Sequence, residues 1–181
     1  SFIREIVSNA WDAQVEAGTT DIPTIIKITE GERTSYYGKY FTGCGDITIR
    51  DFGTGLSPER FNDIYRNIGS STKRESNDYH GAFGIGHLRG FSCSNTMYIT
   101  SYYNGTCYEY IGIKDANTIV YTLVSTTPTT EKNGLEVTLK NVSLDKYREA
   151  LCYIRFFPNI FIEDNNTSTK NENINETKIK K

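Results

Sequence analysis

The stretch that decides the fold is DITIRDFGTGLSPER, residues 46–60. Its first half alternates, with Ile47 and Ile49 on one face, and reads as a strand over Asp46–Asp51. A carboxylate then stands at the strand end, followed by Gly53 and Gly55 with one residue between them. Such a pair lets the backbone turn sharply and lets a flat ligand come close to it. An ionised carboxylate only accepts hydrogen bonds, and the amino group of adenine only donates. Asp51 could therefore choose adenine over guanine, whose six-position oxygen would meet it with a second acceptor. An ordinary tight turn after a strand has the same sequence, so this stretch alone leaves both readings open. Beyond Gly55, Ser57 and Pro58 read as the cap and first turn of a helix that runs to about Asn67.

Toward the N-terminus, residues 1–17 (SFIREIVSNAWDAQVEA) place Ile3, Ile6, Ala10, Ala13 and Ala17 three and four apart, an amphipathic helix closed by Gly18. Glu5, Asn9, Asp12 and Glu16 fall within about 60° of one another, opposite that apolar face. A solvated polar stripe and a ligand-facing one look alike at this level. Toward the C-terminus the chain is polar from Ile68 to His80, then reaches Gly81, Gly84, Gly86 and Gly90. Glycines opening a helix there would expose backbone N–H groups, which suit phosphate oxygens. The run is no Walker motif, because no Lys-Ser/Thr follows it. Nor is it a Rossmann fingerprint, because it follows a polar loop rather than a strand. Each of the three stretches has an ordinary explanation. Their occurrence together and in this order does not.

Further strands are expected at Thr24–Thr29, Met97–Tyr103, Thr106–Lys114, Thr118–Ser125 and Gly134–Leu139, with Asn104-Gly105 turning the first hairpin of the later set. A last helix is expected over Leu144–Phe156, and residues 164–181 read as a polar tail or linker. The whole is an α+β sandwich. Hydrophobic residues make up 37% of the 181, enough for a core, which excludes a wholly disordered chain. A net charge of -2 argues against a general nucleic-acid binder. No run approaches the length of a membrane span. Four scattered cysteines and two histidines offer no zinc site of usual spacing and read as reduced thiols of a cytoplasmic protein. Because Ser1 falls inside a helical pattern, the chain reads as a piece of a longer one.

Glu5-Ile6-Val7-Ser8-Asn9-Ala10-Trp11-Asp12 resembles the ExxxNAxD box of the GHKL ATPases: gyrase B subunits, the ninety-kilodalton heat-shock chaperone, histidine kinases and MutL repair proteins. Asp51–Gly55 resembles their DxGxG box, Gly81–Gly86 their GxxGxG lid, and Gly134–Thr138 their final glycine-to-threonine strand. The lid run from Gly69 to Gly86 is most similar to that of phage rIIA-like proteins.

The resemblance implies a two-layer Bergerat sandwich over residues 1–163, lacking its N-terminal strand, with helices on one face of a mixed, mostly antiparallel sheet. It further implies ATP and Mg²⁺ as ligands and slow hydrolysis. Glu5 would be the base, Asn9 the magnesium ligand and Asp12 a supporting residue. Asp51 would bind adenine with help from Thr138, and Gly53 and Gly55 would let the base pack on the backbone. Gly81, Gly84, Ile85, Gly86 and Lys73 would meet the phosphates. A nucleotide-gated homodimer in the host cytoplasm would follow, if the protein is phage-encoded. The alternative is a nucleotide-binding assembly module without turnover. A histidine kinase fits less well, since no phospho-acceptor helix is present.

Overall fold

The computed structural model describes residues 2–29, 35–36, 39–40, 44–66, 96–115 and 118–164. Helix α1 (Phe2–Ala17) leads into β1 (Thr24–Thr29), and a small hairpin of β2 (Ser35–Tyr36) and β3 (Lys39–Tyr40) precedes β4 (Cys44–Arg50). After the glycine loop, α2 (Pro58–Phe61) continues as a π-helical turn, Asn62–Arg66. The strands β5 (Thr96–Tyr103), β6 (Thr106–Asp115), β7 (Thr118–Pro128) and β8 (Gly134–Ser143) follow, then α3 (Leu144–Ile154) and β9 (Ile160–Asp164).

Seven strands form one sheet in the order β7-β6-β5-β8-β4-β1-β9. Every pairing is antiparallel except β1 with β9. This is the expected α+β architecture, a mixed and mostly antiparallel sheet carrying helices.

The register shows why these sequences make one core. Ile26, Ile49, Val137, Ile99 and Tyr110 are successive cross-strand partners, and so are Ile28, Ile47, Leu139, Met97 and Gly112. Both rows lie on a single face, because side chains alternate along a strand. Across that face α1 contributes Ile3, Val7 and Ala10, and α3 contributes Tyr147, Ala150 and Ile154, all buried. At the other end of the sheet Phe61 of α2 stacks on Tyr110 at 3.6 Å between ring centroids and on Tyr65 at 4.4 Å. Side chains of this size each contribute about 1.5–3 kcal/mol when removed from water.

Ser57 caps α2 as expected, its Oγ accepting from the Arg60 amide at 3.3 Å, with Pro58 in the first turn. The Asn104-Gly105 hairpin is also present, with φ of 48° and 80°. Three expectations need correction. Helix α2 stops being α-helical at Phe61 and becomes a π turn. β7 and β8 run on to Pro128 and Ser143, past the expected ends. The short β9, which alternation did not single out, closes the sheet beside β1 through Asp164. The tail beyond Asp164 lies outside the described residues.

Candidate functional site

The loop from Asp51 to Gly55 is fixed by the elements around it. Asp51 leaves β4 still paired to β8: its amide donates to the Leu135 carbonyl at 2.9 Å. Its carboxylate is buried, and Oδ1 accepts from the Gly53 amide at 2.9 Å and the Leu135 amide at 3.1 Å. Among the described residues no donor to Oδ2 is seen. Burial pushes the Asp51 carboxyl up from 3.8 to about 6, against the pull of both amides and of Arg50. Among the described residues no ion pair to this carboxylate is formed. A carboxylate held this way is a hydrogen-bond acceptor of fixed direction.

The two glycines have structural reasons of their own. A Cβ on Gly53 would lie 2.6 Å from the Cβ of Ala13, so the loop packs flush against α1. Gly55 has φ +68°, and a Cβ there would run into the Tyr102 carbonyl. Close approach is needed, as the sequence suggested, but the partners in the structure are a helix and a strand.

Asn9 stands one turn before Ala13, the residue of α1 that meets Gly53. Glu5 lies one further turn away. Both are half-buried, while Asp12 and Glu16 are exposed. The far end of the stripe reaches α2, where Glu16 pairs with Arg60 at 3.8 Å. The buried side of α1 is Ile3, Val7, Ala10, Ala13 and Gln14: Ile3, Ala10 and Ala13 belong to the expected row, whose other members, Ile6 and Ala17, are only half-buried. Gln14 was missed by sequence reasoning altogether. Its Nε2 donates to the carbonyls of Thr19 at 3.1 Å and Ile22 at 2.6 Å. Its Oε1 accepts from the Thr24 hydroxyl at 2.7 Å and the Phe52 amide at 3.4 Å. A polar residue on the apolar side of a helix was the available signal.

Thr138 is the expectation the structure places elsewhere. It is the cross-strand partner of Thr48, and their hydroxyls are 2.9 Å apart on the face away from the helices. Asp51 is instead beside Leu135, three residues earlier. The reason is alternation: Leu135, Val137 and Leu139 point into the core, so Thr138 must point out. The sequence contained that signal in the apolar residues flanking Thr138. Lys73, Gly81, Gly84, Ile85 and Gly86 lie outside the described residues.

An open pocket of about 760 Å³ is lined by Phe52, Gly53, Thr54 and Gly55 together with Arg60 and Lys132. It touches the glycines but takes in neither the Asp51 carboxylate nor Glu5, Asn9 or Asp12. The structure thus packs the loop of Asp51, Gly53 and Gly55 on Ala13, with Asn9 one helical turn and Glu5 two turns before Ala13 along α1.

Residues 1–138 match the family model described as Histidine kinase-, DNA gyrase B-, and HSP90-like ATPase. Among curated proteins there is no match.

Proposed function

The chain belongs to the histidine kinase-, DNA gyrase B- and HSP90-like ATPases, and from that premise we propose that it binds ATP through Asp51 and hydrolyses it slowly with Mg²⁺. The observation that carries this reading is the Asp51 carboxylate. It is buried at a strand end, its Oδ1 accepts from two backbone amides, and no described residue donates to Oδ2, which would accept an amino group. Adenine supplies that donor. Guanine would set its six-position oxygen against it.

The residues also suit the metal. Asn9 offers a neutral amide oxygen on α1, and Asp12 stands exposed nearby in sequence, a set that suits a small hard cation retaining most of its waters. When bound, Mg²⁺ neutralises phosphate charge. Glu5, half-buried one turn from Asn9, would orient an attacking water and take its proton. Lys73, Gly81, Gly84, Ile85 and Gly86 would hold the phosphates, a role drawn from the lid resemblance alone. That resemblance also supports a phage rIIA-like protein in which ATP binding gates association of two protomers in the host cytoplasm.

The test is Glu5→Ala in the Mg²⁺-dependent phosphate-release assay, with ATP binding followed by calorimetry. The proposal expects binding within a few-fold of wild type and release reduced by about 10²-fold or more. Unchanged release would remove Glu5 as the base. Binding without turnover in the wild type would favour the assembly module.

A further inference from the structure

Arg50 belongs to none of the motifs above, yet its guanidinium is buried and held on several sides. It is the last residue of β4 and the cross-strand partner of Glu136, on the face away from the helices. An arginine there would ordinarily be solvated, but this one is only 6% exposed. Its guanidinium lies between two rings, 4.2 Å from the centroid of Tyr102 and 4.6 Å from that of Phe52. Nη2 donates to the Lys132 carbonyl at 2.6 Å, and Nη1 donates to the Asp51 carbonyl. Gly134 makes this possible. A Cβ there would collide with both Nη1 and the Asp51 carbonyl.

The consequence concerns the peptide between Asp51 and Phe52. Arg50 holds its oxygen, and Gln14 Oε1 accepts from its nitrogen at 3.4 Å. The next carbonyl, that of Phe52, accepts from the Thr19 hydroxyl at 2.7 Å. With the plane held on both edges, the backbone angle that aims the Asp51 side chain is fixed.

We propose that Arg50 is the positioning residue of the Asp51 carboxylate: its fork joins the Asp51 and Lys132 carbonyls and so sets the direction from which the carboxylate meets an amino group. The ligand part of this proposal rests on the ATP reading above. A lysine cannot replace the arginine, because one ammonium cannot lie flat between two rings while reaching two carbonyls in a fixed fork.

The charged and titratable groups around the pair are few. Arg50 lowers the Asp51 value, and Asp51 in turn adds to the rise that burial gives the Tyr65 phenol of the π turn. Burial lowers the Arg50 value, while Asp51, Tyr102, Glu136 and Glu131 oppose that change. Removing the guanidinium therefore deprives Asp51 of its neighbouring cation.

The experiment compares wild type, Arg50→Met and Arg50→Lys by two readouts: the Asp51 carboxyl titration by ¹³C NMR without nucleotide, and ATP affinity by calorimetry, with circular dichroism to establish folding. Arg50→Met is expected to raise the Asp51 midpoint and weaken ATP about ten-fold. Arg50→Lys is expected to return the midpoint toward wild type while recovering only part of the affinity. A folded Arg50→Met with unchanged midpoint and affinity would overturn the proposal. Should Arg50→Met not fold, wild-type ATP affinity in Arg50→Lys would overturn it. If the wild type binds no ATP but Arg50→Met still moves the Asp51 midpoint, the nucleotide reading falls and the positioning role stands.

Discussion

Asp51 is a buried carboxylate kept charged by two backbone amides, and its energetics follow from that. Its folded value of about 6 lies above its ordinary 3.8. As pH falls, the native state therefore takes up this proton before the unfolded chain does. The cost of burying the charge is full above pH about 6 and is relieved as pH falls toward about 4. Asparagine at 51 keeps an oxygen for the Gly53 and Leu135 amides. Asp51→Asn is thus expected to stabilise the protein by up to about 3 kcal/mol at pH 7.5, with the gain shrinking toward nothing near pH 4. Paired urea-unfolding curves at the two pH values check this. ATP affinity should fall as pH drops through about 6, because only the ionised carboxylate accepts the amino group. Thr138→Val makes the contrasting case. With its hydroxyl on the far face against Thr48, it is expected to leave ATP affinity within about two-fold by calorimetry.

At the scale of elements, the glycine loop is a joint between α1, β4 and β5. Gly18 and Gly55 both have positive φ, but a Cβ at Gly18 meets nothing within 4 Å, whereas one at Gly55 meets the Tyr102 carbonyl. Gly18→Ala is expected to cost about 1 kcal/mol from backbone conformation alone, and Gly55→Ala at least twice that, because β5 must also move. Gln14→Leu strips the hydrogen bonds that join α1, the 19–22 turn and Phe52. A loss of about 2–4 kcal/mol is expected. Urea unfolding measures all three. Much at this scale was legible in the sequence. Period-two alternation located β1 to the residue, and Ser57-Pro58 marked the start of α2. The π turn was not legible, since local sequence reads as continuing helix and the turn is set by Phe61 and Tyr65 packing on Tyr110 and Tyr121. β9 was not legible either. It is five residues long, and its parallel pairing with β1 joins segments far apart in the chain.

Over the whole molecule, the sheet brings distant segments to one place. Asp51 and Leu135 are 84 residues apart and share a carboxylate–amide bond, while Ala13 of the first helix packs on Gly53. Two of the three motif stretches, the first helix and the Asp51–Gly55 loop, meet in this way, and the third lies outside the described residues. The residues that support it, Arg50, Gln14 and Ser101, carry no motif and act through buried polar contacts that only the fold creates. Ser101, for example, donates to the Leu56 carbonyl and accepts from the Leu56 amide, both at 2.8 Å. A ligand that binds only the folded sheet should also stabilise it, by about 2.7 kcal/mol at a hundred times its Kd.

The most direct test is calorimetric titration of ATP and of GTP, each with Mg²⁺, into wild type and Asp51→Asn. The account predicts ATP binding to wild type, GTP binding weaker by about ten-fold or more, and loss of the ATP preference in Asp51→Asn. Equal affinity for the two nucleotides, or undiminished ATP binding by Asp51→Asn, would contradict it.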